Sequence, residues 1–296
     1  MWVARIRGAK LVNWLQDVYP EIAIETGVPL VKGPLGRILS TLRDASLKTA
    51  IANVAVGQQM ANRLNSKGAR ADTIHVIPNW CDDEAIAPVA HADNSLRHEW
   101  GLQHKFVVGY SGNLGRGHEF NTLLAAAEHF RDDPDIMFVL IGGGQRFEQF
   151  RRLIKERRLD IIFRFFPYQD RDLLKYSLSV ADVHWISLQM ELGDLMFPSK
   201  FYGIAAAGRS ILAITGNTGE IADLVRAHDC GFAIEPGDTA ATAEAIAALA
   251  RNRTRCQAMG HNARTMLDEK FTRRRQMDRW TKLFDRLIPG RNLTHS

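Results

Sequence analysis

From Phe106 onward, short apolar runs of strand length alternate with amphipathic stretches of helix length. Such runs predict strands, and the stretches between them predict helices that cover the faces of a parallel sheet. Strands are expected at residues 106–110, 136–141, 161–166, 183–188, 211–214 and 232–234, and helices at 119–130, 147–157, 171–179, 200–207, 219–227, 239–250, 253–269 and 272–287. The alternation therefore predicts an α/β domain built on a full parallel sheet.

The first third of the chain holds fewer elements of the same kind. Strands are expected at residues 11–15, 51–56 and 74–77, with helices at 30–46 and 58–67. The polar, proline-containing stretch from Pro88 to Ser95 is typical of an interdomain connection. We therefore expect a small N-terminal domain over residues 1–95, a larger domain over residues 96–270, and a helical segment over residues 271–296 that packs back toward the first domain.

Composition excludes several classes of protein. The 296 residues are 46% hydrophobic and 24% charged, which is the balance of a globular protein. No uninterrupted apolar run approaches the ~20 residues that a bilayer-spanning helix needs. Arg5 and Arg7 interrupt any apolar core of a secretion signal, and three cysteines are too few for a disulfide framework. A reducing, cytoplasmic setting is expected.

The charge balance favours an anionic partner. Lysine and arginine number 38 against 33 acidic residues, a formal net charge of +5. Phosphate-bearing ligands, nucleic acid and an anionic membrane surface are all compatible with this excess of positive charge. The net charge alone does not distinguish among them. Arginine runs such as 151–152 and 273–275 are either solvated helix faces or part of a binding surface.

Two glycine-rich turns follow predicted strands, where ligands of open α/β sheets bind. The first contains Gly112, Asn113 and Arg116; glycines permit close backbone approach, and a guanidinium suits phosphate oxygens. The second is the run Gly142 to Gly144, in which the third glycine of a Gly-x-Gly-x-x-Gly fingerprint would fall at Phe147. A nicotinamide cofactor is therefore disfavoured, and either turn could be a plain connector.

Two further turns carry polar groups before helices. Ser199 is predicted as an N-cap, and its helix start with Lys200 and Phe201 is a natural diphosphate site, although a capped core helix is the alternative. Glu220 follows a flexible turn and could accept hydrogen bonds from sugar hydroxyls, or could be a helix first-turn carboxylate. No zinc, nucleophile-elbow or Walker motif occurs, and His184 is predicted as a core or edge histidine.

Taken in order, these segments resemble the retaining GT-B glycosyltransferases of family four. The resemblance rests on Pro78 to Asp82, on the glycine turns, on Glu220 and on the run Pro236 to Asp238. The branch that builds bacterial surface polysaccharides such as exopolysaccharide, capsule and O-antigen is the most similar. It carries Gln-Asp-x-x-Pro and Pro-Ser-Lys segments, which here are Gln16 to Pro20 and Pro198 to Lys200. The fold implied is α/β of GT-B type with two Rossmann-like domains, the N-terminal one incomplete.

Two departures from the family pattern bear on the site. The family's pair of glutamates separated by seven residues would fall at Leu195 and Gly203, so neither carboxylate is present. Ribose or sugar recognition is then expected from Glu220, with Asp194 as a weaker candidate. Many relatives also have histidine where this chain has Gln16.

The resemblance implies transfer of a sugar, with retention, from a nucleoside diphosphate donor, expected to be linked to uridine diphosphate, to a lipid-linked saccharide or polysaccharide. It implies that Asp17 and Gln16 serve catalysis and that Tyr168, Gly142 and Gly143 border the base. The diphosphate would be held by Gly112, Asn113, Arg116, Ser199, Lys200 and Phe201. No metal, cofactor or nucleic acid is expected. The helix from Leu30 to Arg43 is either a candidate for peripheral membrane contact or an ordinary helix of its domain. The alternatives are a fragment that binds the nucleotide sugar without transfer and, less favoured, an NAD-binding oxidoreductase.

Overall fold

A computed structural model describes residues 1–288. The elements up to residue 80 are α1 (Trp2–Ile6), β1 (Val12–Leu15), α2 (Glu21–Glu25), α3 (Pro34–Thr49), β2 (Ala52–Ala55), α4 (Gln58–Ser66) and β3 (Ile74–Val76). Those that follow are α5 (Ser95–Glu99), β4 (Phe106–Asn113), α6 (Asn121–Ala127), β5 (Ile136–Gly143), α7 (Phe147–Glu156), β6 (Phe163–Phe166), α8 (Leu174–Ser179), β7 (Val183–Ser187), α9 (Lys200–Ala206), β8 (Ser210–Ile214), α10 (Glu220–Ala227), β9 (Gly231–Ile234), α11 (Thr239–Arg251), α12 (Arg253–Lys270) and α13 (Arg273–Leu287). None of the helices within residues 1–288 is long and apolar enough to span a bilayer.

The chain divides into two compact units. Unit one comprises Met1–Trp80, Glu191–Phe197 and the chain from Phe271 on, and unit two comprises Cys81–Met190 and Pro198–Lys270. The first boundary therefore lies after Trp80, earlier than the residue 95 expected from the sequence. Residues 289–296 of the expected C-terminal segment lie outside the described residues.

Unit one is built on a three-stranded parallel sheet in the order β1-β2-β3. All four residues of β2 are buried, because α13 covers one face of the strand and α3 the other. On the α13 face, Ala52 and Val54 pack with Leu283 and Trp280. On the opposite face, the Asn53 side chain donates to the Leu47 carbonyl at 2.9 Å, which fixes the end of α3 against the sheet.

Unit two is built on a six-stranded parallel sheet in the order β6-β5-β4-β7-β8-β9. The chain moves outward from β4 through β5 to β6 and then returns to β7 on the other side of β4. This reversal is a topological switch point, where the loops on either side diverge and leave a crevice at the carboxyl ends of the strands. The six strands expected in this region are all confirmed, and His184 is confirmed as a core histidine that is 1% exposed.

Several predicted helices are interrupted in the structure. The helix expected at 30–46 is a 3-10 turn at Pro29–Val31 followed by α3, because Gly33, at φ +84°, and Pro34 start a new helix. The helices expected at 119–130 and 171–179 likewise contain 3-10 turns, at Glu128–Phe130 and Arg171–Leu173. The strand expected from Ile161 begins at Phe163 instead, and Ile161 is exposed.

The expected connection from Pro88 to Ser95 is part of unit two. Asn94 is fully buried, caps α5 by accepting from the Arg97 amide at 3.1 Å, and donates to the Tyr176 carbonyl at 2.9 Å. Arg97 is also fully buried and is paired with Asp182 at 3.2 Å. Polar side chains such as these are typical of loops, but here they form hydrogen bonds within unit two. The prediction of an interdomain connection at this stretch was therefore wrong.

Candidate functional site

The candidate site lies at the carboxyl ends of β4, β5 and β7, beside the switch point of unit two. β4 and β5 pair in parallel as far as Gly112 with Gly142 and Asn113 with Gly143. Beyond the strands, the Leu114 amide donates to the Gly143 carbonyl at 2.7 Å. The two glycine turns predicted separately from the sequence therefore form one continuous backbone surface.

Glycine is required at this surface for steric reasons. A Cβ at Gly142 would lie 2.3 Å from the Gly112 carbonyl oxygen, and one at Gly144 would lie 2.4 Å from the Asn113 Oδ1. Both positions also have positive φ, +129° and +133°, which side chains rarely tolerate. Close approach of the two turns, rather than a dinucleotide fingerprint, accounts for these glycines.

Lys200 extends from the first residue of α9 to the end of β4. Its Nζ donates to the Asn113 carbonyl at 3.1 Å and lies 3.4 Å from the His118 Nε2. A Cβ at Gly112 would approach the Lys200 Cε to 2.7 Å, so the glycine makes room for the lysine stem. Burial lowers the pKa of Lys200 to about 8.

His118 supports this lysine as a neutral acceptor. Its Nδ1 lies 2.9 Å from the Ser187 carbonyl, a geometry that assigns the proton to Nδ1 and leaves Nε2 to accept from Lys200. Burial, with a further contribution from Lys200, lowers the pKa of His118 to about 4. The imidazole therefore stays uncharged near neutral pH and orients the ammonium group without repelling it.

No carboxylate of the described residues lies within ion-pair distance of Lys200. Two of its three N–H donors are engaged by Asn113 and His118, which leaves one for a ligand. Partial burial of an ammonium group without a counter-charge destabilises the ligand-free protein, and binding of an anionic ligand offsets that destabilisation. This arrangement leaves Lys200 able to pair with an anionic group.

Two arginines lie near the same turns. Arg116 is exposed, and its Nε donates to the Gln145 side chain at 2.8 Å, so it lies over the turn after β5. Arg146, which the sequence reasoning missed, donates to the His118 carbonyl at 2.7 Å and lies 4.3 Å above the Phe120 ring. Its signal in the sequence was weak, because a single arginine after a glycine run is common.

The start of α9 differs from the expectation. Ser199 occupies the predicted N-cap position, but it has helical dihedral angles and its side chain makes no capping hydrogen bond. The Phe201 amide donates to the Pro198 carbonyl at 3.1 Å, and the Tyr202 amide to the Ser199 carbonyl at 3.2 Å. α9 has seven residues, and Gly208, at φ +63°, ends it as expected. Lys200, more than the helix start, carries the positive charge here.

Tyr168 lies over the glycine turn after β5. Its side chain is 60% exposed, and its Cε1 and Cε2 lie 3.1 and 3.5 Å from ideal Cβ positions on Gly142 and Gly143. A side chain at Gly142 would press on the ring, whereas a Cβ at Gly143 would only make an ordinary contact with it. The three residues named from the family pattern for the base are therefore neighbours in space.

Glu220 begins α10 after the turn that follows β8, at the same sheet edge as the lysine. The preceding turn is held by Glu235, whose carboxylate accepts from the Asn217 amide at 2.7 Å. Glu235 was also missed, because its role depends on the pairing of β8 with β9 rather than on a local motif.

The other candidate residues lie in unit one. Asp194 is 3.6 Å from Arg63, and Asp17 forms an isolated bridge with Met196. Burial raises the pKa of Asp17, which favours its protonated form more than in water. The Gln16 side chain accepts from Asn79 at 2.6 Å, so two sequence motifs some sixty residues apart are joined within this unit. Among the described residues, no group of three or more potential metal ligands is found.

The two parallel sheets, with a switch point in the larger one, define an α/β protein with the GT-B glycosyltransferase fold. The family model described as Glycosyl transferases group 1 matches residues 93–266, and the chain belongs to this family.

Two curated relatives carry glycosyltransferase names. The chain is 30% identical over 212 residues to WcaI of Escherichia coli (strain K12), whose name places it in colanic acid biosynthesis. It is 26% identical over 241 residues to WbjE of Pseudomonas aeruginosa. These matches cover 70% and 81% of this chain but 51% and 59% of the relatives, so the chain spans little more than half their length.

Solved structures show the same fold at low sequence identity. Anabaena HepE in complex with UDP superposes with a TM-score of 0.79 at 17% identity, over 96% of this chain and 74% of HepE. Sucrose-phosphate synthase from Thermosynechococcus elongatus has a TM-score of 0.78 at 19% identity, over 97% of this chain and 71% of that enzyme.

Proposed function

We propose that this chain is a retaining glycosyltransferase that takes a sugar from a uridine diphosphate donor bound in unit two. The observation that carries the proposal is Lys200, a half-buried cation held by Asn113 and His118 without a carboxylate partner in the described chain. HepE has been solved with UDP and with UDP-glucose, which supports uridine as the base.

The diphosphate is placed on Lys200 and on the backbone of Gly112 and Asn113. Arg116 lies beside this surface and supplies a second, more exposed positive charge, and the Ser199 hydroxyl offers a secondary polar contact. The Phe201 amide already donates to the Pro198 carbonyl, so it is not assigned to the ligand. We assign the base to Tyr168 with Gly142 and Gly143, and the ribose or sugar hydroxyls to Glu220.

In the proposed reaction, an acceptor hydroxyl oxygen forms a bond to the anomeric carbon. The bond between that carbon and the β-phosphate oxygen breaks, and the nucleoside diphosphate leaves with the electron pair. The hydroxyl proton passes to the departing phosphate on the same face of the sugar, which gives retention. Preorganised positive charge at Lys200 stabilises the charge that develops on the leaving group, so this scheme uses no metal or cofactor.

Residues of unit one are assigned to the acceptor. Asp17, supported by Gln16, orients the acceptor or the transferred sugar, and Asp194 is a weaker candidate for a sugar contact. The acceptor we propose is a lipid-linked saccharide at the cytoplasmic face of a membrane, with nucleic acid not a partner. The name of WcaI, which refers to colanic acid biosynthesis, supports a polysaccharide product.

Thermal unfolding with and without UDP tests donor binding. UDP is expected to raise the melting temperature of the wild type, and Lys200→Ala is expected to abolish this shift. Lys155→Ala, which removes an exposed lysine of α7, is the matched control and should keep the full shift. An unchanged melting temperature of the wild type across nucleoside diphosphates would contradict the proposal.

Transfer is tested separately from binding. Incubation with UDP-sugars and a lipid-linked saccharide extract should release UDP and label the lipid fraction. Donor binding with no transfer to any acceptor would support the binding-only alternative, whereas fluorescence of bound nicotinamide would support the oxidoreductase.

A further inference from the structure

A groove of about 390 Å³ lies in unit one between β3 and α13, and we call it the basic groove. All three residues of β3 line it, together with Ile77. The helix contributes Arg279, Lys282, Leu283 and Arg286. None of these residues takes part in the proposed sugar transfer.

One apolar side chain of α13 holds the helix against the sheet beside this groove. Leu283 is 5% exposed and packs with Val54 and Ile77. At about 100° per residue, positions 279, 282, 283 and 286 fall within an arc of about 100°. The three cations therefore flank the buried leucine on a single side of the helix, and all of them border the groove.

The charge of the groove is exclusively positive. Its lining residues include no aspartate or glutamate, and Asp278 and Asp285 of the same helix are exposed and lie outside the lining. The three cations form no ion pair with any described residue. Burial, with a further contribution from Arg286, lowers the pKa of His75, so the imidazole is neutral near pH 7. An anionic partner would therefore meet three unpaired cations along one line.

β3 is an edge of its sheet. In the order β1-β2-β3 it pairs with β2 on one side, and no other strand of the described chain lies next to it. The Ile77 amide donates to the Ala55 carbonyl at 3.0 Å, which directs the backbone of residue 77 toward β2. Because neighbouring residues of a strand direct their backbone groups to opposite edges, the amide and carbonyl of Val76 point away from β2. They are free to pair with a further strand.

The free edge and the cations together specify one kind of partner. A peptide that pairs with β3 satisfies the backbone groups at the edge, and its side chains alternate between the two faces of the sheet. Every second side chain then points to the α13 side, where the cations lie. The cations from Arg279 to Arg286 span about 10 Å, and alternate side chains of a strand are about 7 Å apart, so two or three carboxylates fit along them.

We propose that the basic groove binds an acidic segment of a partner protein, which adds to β3 as a fourth strand with carboxylates at alternate positions facing α13. Nucleic acid or lipid phosphates would also be attracted by the cations, but neither offers the peptide donors and acceptors that pair with a strand edge. The inference goes beyond sugar transfer and does not depend on donor binding.

Fluorescence anisotropy with synthetic peptides tests the groove in the full chain. A labelled peptide in which glutamate alternates with valine and threonine should bind. A peptide of the same composition with its glutamates adjacent should bind at least about fivefold more weakly, because fewer carboxylates face α13. A peptide with lysine in place of glutamate should not bind.

The cations are tested in the same assay. Each exposed ion pair contributes up to about fivefold in affinity, so Arg279→Gln with Arg286→Gln should weaken binding of the alternating peptide about tenfold. Raised salt should remove most of that difference. Arg251→Gln with Arg255→Gln, at two exposed positions of unit two, is the matched control and should bind as the wild type does.

The edge is tested without changing any charge. Val76→Pro removes an amide that points away from β2, so it removes no bond of the existing ladder and should abolish peptide binding. Hydrogen exchange of the wild type covers the case in which this variant fails to fold. Exchange of the segment Ile74–Ile77 should slow when the alternating peptide is added, and should be unchanged with the lysine peptide.

Three outcomes would overturn the proposal. If the alternating peptide does not bind, the cations only protect the edge from pairing. Equal affinity for the alternating and the adjacent-glutamate peptides would mean that charge alone attracts them, without an added strand. Binding of single-stranded RNA or phosphatidylglycerol vesicles that requires Arg279 and Arg286, with no slowing of exchange in β3 by any peptide, would assign the groove to a different class of partner.

Discussion

Lys200 illustrates what a sequence motif conveys and what it omits. The Pro-Ser-Lys segment predicts a phosphate contact at this residue, but it does not predict the surroundings that leave the charge without a carboxylate partner. Its neighbours are a carbonyl and a neutral imidazole rather than a carboxylate. Asn113 lies at the end of β4 and His118 in the loop that follows, and the Ser187 carbonyl that holds His118 lies at the end of β7. Only the folded sheet brings these groups together.

Replacing Lys200 by methionine should stabilise the empty protein. The folded-state pKa of Lys200 is lowered from 10.5 to about 8, so the charged form is penalised by folding at every pH below about 8. That penalty fades as the pH rises from about 8 to about 10.5, where the lysine is neutral in both the folded and the unfolded state.

We therefore expect Lys200→Met to be more stable than the wild type at pH 7 by about 1–3 kcal/mol. The difference between the two melting temperatures should narrow between pH 8 and pH 10. For the same reason, UDP binding by the wild type should weaken as the pH rises through about 8. A variant that is less stable at pH 7 would show that Lys200 has a structural role instead.

Gly142 is predicted to be intolerant of any side chain. In Gly142→Ala the new Cβ would clash with the Gly112 carbonyl at 2.3 Å, and φ at this position is +129°. We expect a loss of at least about 2 kcal/mol in unfolding free energy together with loss of UDP binding. Gly115→Ala is the control, since its Cβ would meet only Asn113 Nδ2, at 3.6 Å. Equal effects of the two variants would contradict this steric argument.

At the scale of elements, apolar periodicity predicted the sheet of unit two and failed at helix ends. Strands such as β5, in which Ile136 to Ile141 are all apolar and buried, are specified by runs of apolar side chains alone. Helix ends depend on single hydrogen bonds, and the serine before α9 has the right residue type in the wrong conformation. Residue type predicts that a cap is available, whereas the dihedral angles decide whether it forms.

The caps of α9 and α11 should therefore respond differently to alanine. Asp238 accepts from the Ala241 amide at 3.0 Å, so Asp238→Ala should cost about 1 kcal/mol of unfolding free energy. Ser199→Ala removes no capping bond and should change it by less than about 0.5 kcal/mol. Urea unfolding of the two variants without ligand measures both values. A cost at Ser199 as large as that at Asp238 would mean that the serine does cap α9 in solution.

At the scale of the whole molecule, the sequence predicted two sheets of unequal size but misplaced the division between the units. The stretch from Pro88 to Ser95 is polar, and composition cannot distinguish a solvated linker from a segment whose polar groups are bonded internally. Arg209 donates to the Val89 and Ser179 carbonyls, so this stretch is bound to unit two by a residue more than a hundred positions away. Long-range bonds of this kind have no local signature.

The buried pair of Arg97 and Asp182 fastens the start of unit two to its sheet. Asp182 also accepts from the Val107 amide at 2.8 Å, and Arg97 is fully buried. Asp182→Asn would leave the guanidinium without its counter-charge, at a cost of about 3–5 kcal/mol. We expect the melting temperature to fall by about 10 °C. Asp160→Asn, at an exposed position, should leave it unchanged.

A double-mutant cycle separates the ion pair from the packing around it. The double variant Arg97→Met with Asp182→Asn removes both charges. It should lower the free energy of unfolding by less than the sum of the decreases in the two single variants, because no unpaired buried charge remains. Unfolding free energies of the four proteins, measured by urea titration, give the coupling between the two side chains. Strictly additive losses would show that the two residues stabilise unit two independently, and that the segment from Pro88 to Arg97 is held by its other hydrogen bonds.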